Sequence, residues 1–219
     1  MLDWDDFDTL LLDLDGTLLD LAFDNRFWLE HVPQAYAQAK GVEPAAAREL
    51  LAPIFRSREG TLDWYCVDHW SRALGINIRE LKERAAAEIS WLPGAREFLE
   101  RARSRGKRAI LLTNAHPVTL QIKDLRTGVR KLVDLALSSH DLGAPKEDPA
   151  FWEVVRTIEQ FDPQRTLFVD DSLAVLRAAR QAGLPRLRAI RCPDSSRPER
   201  LIEEFESVSG VAELFAQGP

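Results

Sequence analysis

Two aspartates separated by a single leucine, Asp13 and Asp15, are followed by Gly16 and Thr17 at the end of an apolar run, Phe7–Leu12. Three later positions carry matching chemistry. The run Ala109–Thr113 stops at Thr113-Asn114, Lys146 stands in Pro145-Lys146-Glu147-Asp148-Pro149, and the run Thr166–Val169 stops at Asp170-Asp171-Ser172. Parallel sheets bind ligands outside the carboxyl ends of their strands, near the point where strand order switches. Four carboxylates, a hydroxyl and an ammonium are therefore expected on one sheet edge. Carboxylates that close must protonate or be neutralised. The natural neutraliser is a hard dication with oxygen ligands, and Mg²⁺ suits a few carboxylates plus water and a substrate phosphate. The pattern thus predicts Mg²⁺ and a phosphoryl substrate together.

Roles follow from the side-chain types. Asp13 is the candidate nucleophile, because a carboxylate can form an aspartyl-phosphate that divides one hard step into two. Asp15 can protonate the leaving oxygen and then take a proton from the hydrolytic water. Gly16 lets the backbone turn close to the phosphate. Thr113 and neighbouring N–H groups can hold phosphate oxygens, and Lys146 supplies a point charge to the phosphoryl group and to Asp13. Asp170 is expected on the metal. Asp171 is expected to assist, through water or by holding Lys146. Asn114 joins the substrate-binding candidates. His116 either points at the substrate or caps the helix that starts at Pro117. Asp24 and Asn25 either cap a helix or line the pocket mouth. Trp28, Trp64, Tyr65 and Trp70 are available to stack on a purine, or form a core of their own. Asp63, Asp68 and His69 fit a solvated helix face better than a metal cluster.

The elements that must position these residues are legible in outline. Five short apolar runs, the three above with Leu135–Ser138 and Leu187–Ile190, read as strands buried on both faces. Helical patterns lie between them. Pro93-Gly94 opens Ala95–Arg105, Asp148 caps a helix with Pro149 at its first position, and Ser172 starts Leu173–Ala182. Alternating strands and helices imply an α/β fold, a parallel sheet with helices on both faces. From about Leu21 to Leu92 the rhythm breaks, and helical periodicity runs through Phe23–Gln38, Pro44–Phe55, Leu62–Leu74 and Arg79–Ser90. This reads as an inserted all-helical cap over residues 21–90, with residues 1–20 and 91–219 forming the core domain. A short terminal helix is expected at Val211–Ala216.

The 219 residues carry a net charge of −6 with a pI near 5.3. The densest basic run, from Arg101 to Arg108, suits a solvated helix end rather than a nucleic-acid patch, so no nucleic-acid polymer is expected as partner. Cys66 and Cys192 are far apart and suggest neither a disulfide framework nor a zinc site. No apolar run approaches a membrane span. The N-terminal acids Asp3, Asp5, Asp6 and Asp8 are the wrong charge for a secretory signal, so a cytoplasmic location is expected.

In this order the elements resemble the haloacid dehalogenase-like (HAD) hydrolase superfamily, whose pattern is Asp-x-Asp-Gly-Thr, a strand-end Thr or Ser, Lys and an acidic pair. The resemblance spans nearly the whole chain. It implies a Rossmann-like core, Mg²⁺ as cofactor, the roles above, and a metal held by Asp13, Asp170, Asp171 and Asp15, the last through its backbone carbonyl rather than its carboxylate. Dehalogenases of this superfamily lack the second aspartate, so Asp15 disfavours dehalogenation. Its phosphonatases use a cap lysine, and here Lys40 and Lys82 offer no obvious site. Sugar-phosphate mutases keep both aspartates but tend to carry Val or Phe in place of Thr17. More specific strings, Leu19–Asn25, Phe27-Trp28, Trp64-Tyr65-Cys66, Leu111–Pro117, Pro145–Asp148 and Thr166–Ser172, are similar to bacterial nucleotidases that hydrolyse GMP and IMP. The expected substrate is therefore a small phosphate monoester, a purine nucleoside monophosphate, with another small phosphomonoester such as a sugar phosphate or phosphoglycolate as the alternative. A signalling receiver also pairs acids, threonine and lysine on such a sheet. Its acid pair, however, comes first, and it has no helical insert.

Overall fold

The computed structural model describes residues 2–215. Six parallel strands form one sheet: β1 (Thr9–Leu12), β2 (Arg108–Thr113), β3 (Leu135–Ser138), β4 (Thr166–Asp170), β5 (Leu187–Ile190) and β6 (Ser207–Val208). Their order is β3-β2-β1-β4-β5-β6. From β1 the chain builds outward first to β2 and β3, then on the other side to β4, β5 and β6, so the switch point lies between β1 and β4. Register sets the site. Leu12 stands beside Leu111 on one side and Val169 on the other. The next residues, Asp13 just past β1 and Asp170 at the last position of β4, stand at one level, with Thr113 a step further along β2.

Apolar residues on successive strand positions face opposite sides. Leu10, Leu12, Leu111 and Val169 join one buried cluster, and Leu11, Ile110, Leu112 and Phe168 join the other. This is why the runs read as continuous rather than alternating. β6 was not legible, because its two residues are half-buried at the sheet edge and carry no apolar run.

Between β1 and residue 90 every regular element is helical. These are α1 (Ala22–Arg26), a π-helical turn (Phe27–His31), α2 (Val32–Lys40), α3 (Pro44–Arg56), α4 (Leu62–Tyr65), α5 (Val67–Leu74), α6 (Ile78–Ala85) and a 3₁₀ turn, Ala86–Glu88. One helix was expected over Phe23–Gln38, and the π-turn interrupts it. Pro33 explains the interruption: it has no N–H, and its ring would meet the carbonyl four residues back. Just before it, the Val32 N–H reaches five residues back to the Phe27 carbonyl. The two connections to the insert run side by side. The Asp20 N–H donates to the Ser90 carbonyl (3.0 Å) and the Leu92 N–H to the Leu18 carbonyl (2.9 Å).

Five helices follow: α7 (Ala95–Ser104), α8 (Pro117–Thr127), α9 (Ser139–Leu142), α10 (Pro149–Ile158) and α11 (Leu173–Gln181). α7 and α8 bury Phe98, Leu99, Leu120 and Ile122 on one sheet face, where Phe23, Phe27 and Trp70 of the insert join the same cluster. α10 and α11 bury Phe151, Trp152, Val175 and Leu176 on the other. Asp148 caps α10 by accepting from the Ala150 N–H (2.9 Å), and Ser172 caps α11 by accepting from the Val175 N–H (3.4 Å). The terminal helix is shorter than expected, a 3₁₀ turn at Val211–Glu213, and Ala216 lies outside the described residues.

Candidate active site

Four groups meet where β1 and β4 end. The buried Lys146 ammonium donates to Asp13 and, at 2.7 Å, to Asp170. The other Asp170 oxygen accepts from the Ser172 N–H (2.8 Å) at the start of α11. Carboxylate oxygens of Asp13, Asp170 and Asp171 lie within 4.8 Å of one another. Burial pushes the carboxyls of Asp13 and Asp170 up, against the pull of Lys146. It pushes Asp171 well up, and Asp170 and Asp13 add to that. Three crowded acids against one lysine leave negative charge to be neutralised. The donors are all carboxylate oxygens, with no sulfur or imidazole among them, so the set fits a hard dication such as Mg²⁺. Asp171 does not hold Lys146. Its backbone carbonyl accepts from Arg200 (2.8 Å), whose guanidinium also faces the Asp171 carboxylate at 3.8 Å. Gly16, at φ +87°, lies under Asp171, and a Cβ there would stand 2.8 Å from the Asp171 Cγ.

Asp15 turns away from this trio and accepts from Lys123 Nζ at 2.6 Å. Lys123, on α8, also binds Asp24 on α1, and Asp24 accepts from Lys82 on α6 at 3.0 Å. Both lysines are buried. Burial raises the Asp15 carboxyl to about 6, with Lys123 opposing and Asp24 and Asp13 adding to the rise. Burial would raise Asp24 as well, but two ammoniums overcome it and hold Asp24 at about 2. A chain of charges therefore runs from the insert, through Asp24 and Lys123, to Asp15. The Lys82 ammonium also sits 4.1 Å from the centre of the Phe27 ring.

One cavity of about 450 Å³ joins these groups to the insert. Asp13, Asp15, Thr113, Asn114, Lys146, Asp170 and Asp171 line its floor; Asp24, Asn25 and Lys82 line one side; Trp28, Phe55, Trp64 and Tyr65 form an aromatic wall. The exposed Arg56 and Glu59 stand beside that wall. Asn114 accepts from the Lys146 N–H (2.9 Å) and donates to Glu147 (2.9 Å), which also accepts from the Tyr65 hydroxyl (2.9 Å). Tyr65 thus ties the insert to the floor.

Several sequence expectations change here. His116 does not line the cavity; its Nδ1 accepts from the Val118 N–H (3.3 Å), the capping alternative. Asp24 and Asn25 lie inside α1 and cap nothing; both line the cavity, and Asn25 donates to Asp194 at 2.6 Å. Trp70 is buried core, whereas Trp28 and Trp64 face the cavity. Asp63 and His69 form a half-exposed pair at 3.4 Å, with Asp68 solvated, and Asp63, Asp68 and His69 do not converge as a metal group. Lys82, which offered no obvious site, is a buried side chain of the cavity wall. Lys123 belongs to no motif in the sequence. Its signal was present, however: Lys123 follows Leu120 at helical spacing on the buried face of α8, and Lys82 follows Ile78 on that of α6. A lysine on an apolar face marks a buried partner.

A family model described as haloacid dehalogenase-like hydrolase matches residues 7–183. The chain belongs to this family. It is 42% identical, over 97% of its length and 96% of the relative's, to a GMP/IMP nucleotidase, YrfG, of Escherichia coli. It is 30% identical to a phosphoglycolate phosphatase of Nitrosospira multiformis, covering 80% of this chain and 79% of that one. Among solved structures, a HAD phosphatase from Thermococcus onnurineus superposes with a TM-score of 0.77 at 21% identity, over 95% and 96% of the two chains. The shared sheet of this haloacid dehalogenase-like hydrolase carries the acids, and the insert supplies the rest of the cavity.

Proposed function

We propose that this hydrolase is a Mg²⁺-dependent phosphomonoesterase for purine 5′-nucleotides of the GMP and IMP type, with residues 21–90 as a cap that closes over the substrate. One observation carries this reading: a single cavity runs from the Asp13–Lys146–Asp170 group to the aromatic wall of Trp28, Phe55 and Trp64. Its volume falls within the roughly 300–1,000 Å³ of small-molecule sites. The nucleotidase relative supports the same assignment.

Asp13, Asp170 and Asp171, with the Asp15 backbone carbonyl, would hold Mg²⁺, which neutralises phosphate charge when bound. Lys146 holds one Asp13 oxygen and leaves the other to attack phosphorus. Lys146 and Thr113 take up charge on the transferring oxygens. Asp15, whose carboxyl is raised toward neutrality, gives its proton to the departing 5′ oxygen. As a carboxylate it then takes one from the water that hydrolyses the aspartyl-phosphate. The base stacks on the aromatic wall. Arg56 can donate to the O6 and N7 of a 6-oxopurine, and Glu59 can accept from its N1–H. Closure of residues 21–90 excludes water.

The test is phosphate release from a panel of GMP, IMP, AMP, sugar phosphates and phosphoglycolate, with Mg²⁺ or with EDTA. GMP and IMP are expected to give the highest kcat/KM, and EDTA to abolish all release. Turnover of sugar phosphates or phosphoglycolate with none of GMP or IMP would remove the nucleotide assignment and leave the phosphatase.

A further inference from the structure

We propose that Cys66, His116 and His140 form a second metal site, for a soft divalent ion of the zinc class, that staples the insert to the sheet. Each residue comes from a different place. Cys66 joins α4 to α5 in the insert, His116 caps α8 after β2, and His140 lies in α9 after β3. Their sulfur and ring nitrogens lie within 4.8 Å of one another. Zinc bonds of about 2.0–2.3 Å in a tetrahedron need ligand atoms about 3.3–3.7 Å apart. About an ångström of side-chain rotation closes that gap.

A second observation points to a ligand. Both ring nitrogens of His140 are buried and have no hydrogen-bond partner among the described residues. The Leu62 carbonyl approaches without reaching hydrogen-bond geometry. A neutral imidazole offers one donor and one acceptor, and buried polar atoms are rarely left unmet. His116 packs edge-on against His140, with ring centres 4.7 Å apart. A metal bond at the His116 Nδ1 replaces only a long capping bond, 3.3 Å from the Val118 N–H. Its Nε2 then faces Asp68 at 3.9 Å, the kind of carboxylate that ordinarily orients a ligating histidine. The Cys66 sulfur accepts from the His69 N–H at 3.3 Å, which fixes it at the junction of α4 and α5. Burial pushes both imidazoles below their ordinary pKa, which favours the neutral ring that a metal ligand requires.

The donor set is sulfur and imidazole, and it selects zinc-class ions over Mg²⁺. It is therefore chemically distinct from the carboxylate site. On binding, the Cys66 thiol gives its proton to solvent and each ligand donates a lone pair; nothing is oxidised. The ion would restrain the insert next to Tyr65 and the Thr113–Ala115 segment, all cavity-lining.

The experiment titrates Co²⁺ into metal-stripped, Mg²⁺-saturated protein. A thiolate-to-cobalt charge-transfer band saturating near one equivalent is expected. It should persist in Asp170→Asn and vanish in both Cys66→Ser and His140→Gln. Melting curves without transition metal establish that each variant is folded. In a parallel arm, Zn²⁺ should raise the melting temperature of the Mg²⁺-saturated protein but not that of Cys66→Ser. Absence of the band, its appearance only at millimolar Co²⁺, or its survival in Cys66→Ser overturns the site.

Discussion

Asp13 and Asp15 stand two residues apart and have opposite surroundings. Asp13 faces Lys146 and two more acids, whereas Asp15 faces Lys123. That division predicts different failures. Asp13→Asn should abolish turnover and leave no phosphorylated protein under acid quench. Asp15→Asn should lower kcat on a nucleotide by about 10²–10⁴-fold, the usual worth of a positioned acid. With p-nitrophenyl phosphate, whose leaving group needs no proton, Asp15→Asn should spare the first step, so that the aspartyl-phosphate accumulates. Equal losses in the first, phosphorylating step on both substrates would contradict the proton-donor role. Lys123→Met leaves Asp15 and Asp24 facing each other across a buried site. Removing one partner of a buried pair costs about 3–5 kcal/mol, so the urea midpoint should fall accordingly. The acids were legible as strand-end residues. Lys123 required knowing which helix face is buried, and Arg200 reaches Asp171 from a segment without motif character.

At the scale of elements, the turn after β1 is the tightest constraint. Gly16 combines a left-handed backbone with a Cβ position already occupied by Asp171 and Pro193. Gly16→Ala should cost about 1–2 kcal/mol from the backbone alone. It should also displace Asp171, so activity should fall further than the melting temperature suggests; parallel thermal and kinetic measurements check this. Strands β1, β2 and β4 were legible because burial on both faces demands apolar runs. The π-turn at Phe27–His31 was not legible, because periodicity reports helix and only the position of Pro33 just after the turn sets its width. The insert's aromatics divided by the same rule. Trp28, Trp64 and Trp70 look alike in sequence, and packing alone sends Trp70 inward and the other two to the cavity.

Over the whole molecule, the insert and the sheet share one apolar cluster, one charge chain and one cavity. A ligand that binds to either part should therefore stabilise both. Mg²⁺ at 100 times its Kd should add about 2.7 kcal/mol. The gain should appear as a higher melting temperature, reversed by EDTA and absent in Asp170→Asn. An unchanged melting temperature would argue against the carboxylate trio as the metal site. Among the described residues no helix is long and apolar enough to cross a membrane.

The sequence by itself determined the chemistry's raw material. Asp13, Asp15, Thr113 and Asp170 are legible because the ends of buried strands are where a parallel sheet must place its polar groups, and Lys146 because it stands just before the helix that Pro149 opens. Local patterns carry that information, since a strand's apolar run and the residue that ends it are neighbours in the chain. Tertiary structure decided what those patterns cannot hold. It turned Asp15 toward Lys123, put Lys82 in the cavity wall, and brought Cys66 beside two histidines that are 50 or more residues away in the chain. Such contacts depend on how the insert folds back on the sheet, and no short window of sequence records them.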